Sequence, residues 1–337
     1  MNKKQVIKAF DSFDHLNVLI IGDVMVDSYM WGSVARISPE APVPIVAIEK
    51  KESRLGGAAN VALNVQALGA TPILCSVVGV DKGGTLFLDL MREQKLSQKG
   101  ILKSRERITT IKTRVLGNNH QLIRVDEEME SDITRQETEQ LLRIILYLLK
   151  TEKVNVVIFE DYDKGLITST LISKVVAEAR RKKIPVVVDP KKKNFSNYRN
   201  VTLFKPNLKE LKEGIKWDFD STNKKQLQKA VSAFREKQNI EIALITLSEH
   251  GIYIDDGSLK KLLPAMVRNV ADVSGAGDTV ISVAALCLAA GLDPFDTAFI
   301  TNLAGGQVCE KVGVVPVNRK QLLREALEAI RNEKQAK

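Results

Sequence analysis

Short runs of β-branched and apolar residues alternate along the chain with longer stretches whose apolar positions recur every three or four residues. "NVLIIGDVMVD" (17–27) is an apolar run closing on a turn with two acids, and "VPIVAIEK" (43–50) is a second strand. "GGAANVALNVQALGA" (56–70) opens on glycines, carries apolar residues at helical spacing and stops at Gly69. "ILCSVVG" is again a strand. Farther on come "VNVVIFEDYDKG" (154–165), a helix to about Lys182, "IPVVVDPKK", "VTLFKPN" and "IEIALITLSEHG". Strand runs alternating with helical ones predict an α/β fold, a mainly parallel sheet covered on both faces. Such sheets bind ligands at the carboxyl ends of their strands. Polar residues stand at those ends here: Asp23, Asp27, Asp161, Asp189, Asn207 and Thr246.

Two regions break the alternation. Residues 29–50 and 107–126 read as antiparallel strands, and "TTIKTRVLGNNHQLIRVDEE" carries a hairpin signal with Gly-Asn-Asn as its turn. Together they predict a small sheet, a lid on the main body. No internal repeat, low-complexity tract or linker divides the chain, so one domain over 1–337 is expected. An isolated lid would leave open edges and an apolar face, with Val43, Ile45 and Ala47 on one side and Val115 nearby. Open edges invite pairing, which predicts a homodimer through the lid.

Composition narrows the class. Apolar residues make up 44% and charged residues 27%, as in a soluble globular protein. The net charge of +9 arises from 50 basic and 41 acidic residues, spread out apart from "RRKK" (180–183) and "KKK" (191–193). That pattern reads as a lysine-rich solvated surface, and next as one that favours phosphorylated small molecules. Aromatics are 5% and no nucleic-acid motif accompanies the charge, so nucleic acid is disfavoured. Cys75, Cys287 and Cys309 lack metal or disulfide spacing. The N-terminus has no signal-peptide core, and the longest uncharged run, Thr279–Leu292, is too short for a membrane span. A cytoplasmic protein is expected.

The chemistry gathers at "DVSGAGDTV" (272–280), a glycine turn that delivers Asp278 just before an alanine-rich helical run. Helix N-termini present unsatisfied amide donors and attract anions. A carboxylate beside an anion site makes sense if it takes a proton while charge builds on the neighbouring group, as phosphoryl transfer requires. Alone, "GAGD" fits a tight turn with an acid near a helix start equally well. The terminal Lys-Ser/Thr of a P-loop is absent.

With "GGAANVA" early, "PNLKE" in the middle and "DVSGAGDT" late, nearly the whole chain resembles the ribokinase-like (PfkB) carbohydrate kinases. That resemblance implies a three-layer α/β sandwich with a β-sheet lid, and ATP and Mg²⁺ as cofactors. Within the family, "GDVMVDSYMWG", "RISPEAPVPIV", "TRVLGNNHQLIRVD", "EDYDKG" and "VVVDPK" are similar to the kinase domains that phosphorylate D-glycero-β-D-manno-heptose 7-phosphate at C1 for ADP-heptose and lipopolysaccharide synthesis. In many bacteria that domain is fused to a nucleotidyltransferase, and no such domain is expected in these 337 residues. The rival readings are another ribokinase-like sugar kinase and a catalytically silent sugar-phosphate sensor.

The resemblance also implies residue roles. Asp278 becomes the base, with the amides of Gly275, Ala276 and Gly277 facing the transferring phosphoryl. Asn207 and Glu210 organise magnesium, partly through water, although an N-cap and a first-turn acid explain them as well. Thr246, Ser248, Gly251 and Asn302 fall at nucleotide positions, and His250 is read as a solvent-exposed turn residue. Asp27, Gly56, Gly57 and Asn60 fall at sugar positions, and Asp272 and Ser274 at a candidate potassium site. For the substrate's own phosphate, the cationic candidates are Arg36, Lys112, Arg114, Arg124 and Lys164. Strand alternation puts Lys112 and Arg114 on one face. Glu160 opens "EDYDKG" where the heptose kinases carry serine.

Overall fold

Val18 and Ile20 face one way, Leu19 and Ile21 the other, and all four are fully buried. A strand buried on both faces needs helices above and below it. The computed structural model, which describes residues 2–118, 120–220, 223–266 and 268–335, supplies them. The strands are β1 (Asn17–Gly22), β2 (Val24–Ile37), β3 (Pro44–Gly57), β4 (Thr71–Gly79), β5 (Gly100–Ser104), β6 (Thr110–Gly117), β7 (His120–Glu127), β8 (Val154–Glu160), β9 (Val186–Asp189), β10 (Leu203–Phe204), β11 (Ile242–Thr246), β12 (Ile252–Asp255) and β13 (Lys260–Leu263). The helices are α1 (Lys3–Ser12), α2 (Ala58–Ala67), α3 (Lys82–Glu93), α4 (Arg135–Thr151), α5 (Ser169–Arg181), α6 (Leu208–Ile215), α7 (Lys224–Gln238), α8 (Ala276–Ala289), α9 (Pro294–Cys309) and α10 (Arg319–Gln335).

The large sheet runs β13-β12-β11-β10-β9-β8-β1-β4-β5. It is parallel from β11 to β5, and β12 and β13 pair antiparallel at one edge. Val18 and Ile20 pack in one core with α1, α2, α3, α8, α9 and α10, while Leu19 and Ile21 pack in a second core with α4, α5, α6 and α7. The chain winds outward from β1 through β4 to β5, then returns to place β8 on the other flank of β1. Parallel sheets bind ligands at such a reversal, here beyond the carboxyl ends of β1 and β8. No helix among the described residues is long and apolar enough to cross a membrane.

The lid is a separate four-stranded sheet, ordered β3-β2-β6-β7. Its hairpins β2–β3 and β6–β7 are antiparallel as expected, but β2 and β6 pair in parallel. The strands also run closer to the main body than predicted, from Val24 and to Gly57, whereas 107–109 lie outside them. Of the expected turn, Gly117 still pairs within the ladder, Asn118 sits at φ 51°, and Asn119 lies outside the described residues. The predicted apolar face is rearranged. Val115 lies in a row with Met30 and Ile123, while Ile45 pairs Arg36 beyond two irregularities in register. The exposed apolar residues include Ile123 and Val125.

Beneath β9 and β10, Phe195, Tyr198, Phe204 and Phe234 pack with ring centroids 5.0–6.1 Å apart. This cluster supports the strand ends that carry Asp189 and Lys205. Truncating a fully buried aromatic leaves a cavity and costs about 3–5 kcal/mol. Phe195→Ala should therefore lower the unfolding free energy by about that much in chemical denaturation. A loss of less than about 1 kcal/mol would show that the cluster does not support this end of the sheet.

Candidate active site

Gly275 adopts φ 76°, which turns the chain into α8. A Cβ there would also come within 3.0 Å of Val314 and 3.2 Å of the Asn60 amide. Its backbone angle favours glycine, and a side chain there would press on both neighbours. The small residues of the first turns of α8, Ala276, Gly277, Thr279 and Ser282, let it lie close to α2, where Thr279 donates to Asn64 at 3.1 Å. Asp278, in the first turn of α8, is buried in this contact. Asn60 of α2 donates to its Oδ2 at 2.6 Å, and the Tyr162 hydroxyl donates to its Oδ1 at 2.7 Å. Burial pushes the Asp278 carboxyl up to about 6, helped by the Asp189 charge and opposed by the two hydrogen bonds and Lys205. Of the three amides expected to face an anion, that of Ala276 is directed to the Val273 carbonyl at 3.3 Å.

Behind Asp278, Lys205 pairs with Asp189 at 2.7 Å, both deeply buried. Glu160, at the end of β8, is buried with Oε2 unpartnered, as is Oδ1 of Asp189. Burial, then the Asp189 and Asp278 charges, pushes the Glu160 carboxyl well above the usual carboxylate range. Asn207 and Glu210 cap α6 reciprocally: each side chain accepts from the other's backbone amide at 2.8 Å. Glu210 Oε1 also pairs with Lys191. Asn207 bridges Thr246 at the end of β11, so these two predicted positions are neighbours.

Asp23 holds the loop after β8. Its carboxylate accepts from the amides of Tyr162 (3.0 Å), Lys164 (3.2 Å) and Leu166 (3.1 Å). Asp161 turns inward to the Tyr198 hydroxyl at 2.9 Å, and burial followed by the Asp23 charge pushes it up to about 7.

On the lid, Asp27 accepts from Arg114 at 2.6 Å. Gly56 lies so close to Asp27 that a Cβ would stand 2.2 Å from its Oδ2, and Gly57 caps α2 just ahead of Asn60. Asp27, Gly56, Gly57 and Asn60 therefore line one path from the lid to Asp278. The cations expected to receive a phosphate are already engaged. Lys112 pairs with Asp126 (2.9 Å) and Glu128 (2.7 Å), Lys164 with Glu128 and Glu130 (both 2.8 Å), and Arg124 with Asp126 (2.9 Å). Lys112 and Arg114 do share a face, with Asp27 and Tyr29 as their partners on β2. Arg36 is exposed near the far end of β2. At ~3.3 Å per residue it lies roughly 30 Å along the strand from Asp27, too far to serve the same ligand.

On the other side, Ser248–His250 forms a single helical turn closed by Gly251, and His250 is exposed as expected. Asn302 on α9 donates to the Pro264 carbonyl at 2.8 Å. Asp272 accepts from the amides of Ser274 and Gly313, both at 2.9 Å, and so ties the glycine turn to the loop after α9. Tyr162 and Lys205 had not been singled out from the sequence, although both stand in strand-end motifs that had, "EDYDKG" and "VTLFKPN".

A family model for the "pfkB family carbohydrate kinase" matches residues 16–321. The chain belongs to this family. As a pfkB kinase it is an enzyme that acts on sugars, built on the ribokinase-like fold. It is 38% identical over 328 residues to the bifunctional protein HldE of Geobacter sulfurreducens, covering 96% of this chain and 65% of that one. It is 40% identical over 301 residues to HldE of Campylobacter jejuni, covering 89% of this chain and 62% of that one. This pfkB chain thus spans under two thirds of the length of both relatives. Phosphofructokinase-2 from Escherichia coli in complex with potassium superposes with TM-score 0.76 at 16% identity over 94% of this chain and 98% of that one. Arabidopsis thaliana ribokinase complexed with ribose and ATP gives 0.70 at 15%, over 93% and 99%.

The raised pKa of Asp278 has a consequence for stability. The unfolded chain ionises Asp278 near 3.8, the folded chain near 6. Between these values the folded state holds the extra proton. Its stabilising effect is therefore full below about pH 4 and is lost as pH rises through 6. Asp278→Asn carries no such charge, so it should melt a few °C above wild type at pH 8 and lose that margin by pH 4. Calorimetry at the two pH values reads this directly, and a variant less stable than wild type at pH 8 contradicts a destabilised anion.

Proposed function

We propose that this pfkB kinase transfers the γ-phosphoryl group of ATP to the C1 hydroxyl of D-glycero-β-D-manno-heptose 7-phosphate, giving the 1,7-bisphosphate. The observation that carries the reading is the 38–40% identity to HldE proteins across 89–96% of this chain, beside the heptose-kinase motifs in its sequence. In this reading Asp278 orients the sugar hydroxyl and takes its proton late, as charge leaves the attacking oxygen. Asp27, Asn60 and the backbone at Gly56 and Gly57 hold the sugar. The amides of Gly275 and Gly277, which have no partner among the described residues, stabilise the transferring group. Thr246, Ser248, Gly251 and Asn302 line the nucleotide side.

The oxygen donors suit Mg²⁺, which takes few protein ligands and keeps several waters. Asp189 Oδ1 is buried without a partner among the described residues, and the Asp189 and Glu210 charges both act on Lys191. Glu210 and Asn207 would hold the ion through water, with Asp189 behind, and the bound ion would neutralise charge on the phosphates. Potassium at Asp272 and Ser274 belongs to the same proposal, and its support is the potassium complex of one fold neighbour. The protein is placed in the cytoplasm, where ATP is available.

The 7-phosphate would draw Lys112, Lys164 and Arg114 from their present carboxylates. Charge-assisted hydrogen bonds of this kind are worth roughly 10- to 100-fold each. Heptose 7-phosphate should therefore exceed unphosphorylated heptose in kcat/KM by at least about tenfold, measured by ATP consumption. Equal constants would indicate a plain sugar kinase, and no turnover of any sugar or sugar phosphate would indicate a silent sensor.

The lid is proposed to close a twofold dimer through the face bearing Val115 and Ile123. Light scattering should report a dimer for wild type at micromolar concentration and a monomer for Ile123→Asp, because a buried unpaired charge is not compensated. A monomeric wild type, or a dimeric variant, rules this interface out.

A further inference from the structure

Asp278 needs a fixed orientation and a negative charge if it is to accept a proton, and both are at risk in a buried site crowded with acids. The Asp189 charge at the end of β9 adds repulsion, and Lys205 offsets part of it. Two hydrogen bonds oppose that burden, one to each carboxylate oxygen. Asn60 comes from α2, which packs along α8. Tyr162 comes from a loop 116 residues away in sequence, whose shape is set by the three amides bonded to Asp23.

We propose that Tyr162 is a positioning residue for Asp278: its hydroxyl, opposite the Asn60 amide, fixes the carboxylate plane and keeps the group ionised. The inference rests on Asp278 being the base of the proposed kinase. A carboxylate oxygen has two lone pairs. Tyr162 and Asn60 occupy one on each oxygen, which leaves acceptor capacity on each for a sugar hydroxyl. The phenol cannot itself compete for the proton, because burial and the Asp278 charge hold it well above its usual value. Its ring lies under Lys191 at 5.7 Å, a contact that survives loss of the hydroxyl. Asp23 acts one step further out, by holding the loop that aims Tyr162.

Tyr162→Phe isolates the hydroxyl and keeps the ring. Removing a charge-assisted hydrogen bond should lower kcat roughly 10- to 100-fold. It should leave the KM for ATP unchanged and move the acid limb of kcat/KM against pH upward by about one unit. The second measurement needs no substrate: carbon NMR titration of the Asp278 carboxyl in wild type and variant, assigned with Asp278→Asn. An upward shift of that titration in Tyr162→Phe, with the matching shift in the rate profile, supports the proposal. An unchanged titration overturns it, as does a shifted titration with an unmoved rate profile. A wild type that turns over no sugar would sink the kinase reading, and the titration alone then decides whether Tyr162 holds the anion.

Discussion

A carboxylate withdrawn from water must find donors or surrender its charge. Asp278 does the first incompletely, and much of the architecture converges on that compromise. The left-handed turn at Gly275 puts it in the first turn of α8. The small residues of α8 let α2 approach, and α2 brings Asn60. The winding reversal between β1 and β8 brings Asp23 beside the loop that carries Tyr162. The result is a carboxyl poised near 6, ionised at neutral pH yet close enough in acidity to exchange a proton with a reacting hydroxyl in a charged transition state.

The same end of the sheet balances its other charges in layers. Lys205 neutralises Asp189 in the interior, Lys191 meets Glu210 at the mouth, and burial raises the Glu160 carboxyl between them. Removing one partner from such a set leaves a buried charge unpaired, so the layers are mutually dependent. The unpartnered oxygens of Asp189 and Glu160 are the exceptions among these groups. They lie where phosphates and a divalent cation would add charge of both signs.

Elements with a strong local period were legible in the sequence. The unbroken apolar run of β1 and the glycine bounds of α2 fix those elements from neighbours alone, and "GAGD" announced a helix start bearing an acid. Asp278 and Asn60 came from motifs and do meet in space. What sequence did not give was pairing between distant segments. Tyr162 touches Asp278 across 116 residues, and no local pattern marks that contact. The parallel register of β2 with β6 is likewise a tertiary choice. The carboxylate partners of the lid cations were hidden for a subtler reason. An extra residue at Leu122 shifts the β6–β7 ladder, so Lys112 faces Asp126 directly and pairs with its carboxylate. Arg36 was grouped by charge, whereas strand length puts it at the far end of the lid.

The central claim is that Asp278 is the base of a phosphoryl transfer and not merely a buried acid at a helix start. Its most direct test is turnover by Asp278→Asn, followed by phosphorus NMR with ATP and heptose 7-phosphate, alongside ATP binding by calorimetry. The account predicts that the wild type forms a sugar C1-phosphate, while the variant binds ATP with unchanged affinity and loses about 10²–10⁴-fold in kcat. Turnover within a few-fold of wild type, with ATP bound normally, would remove Asp278 from the chemistry.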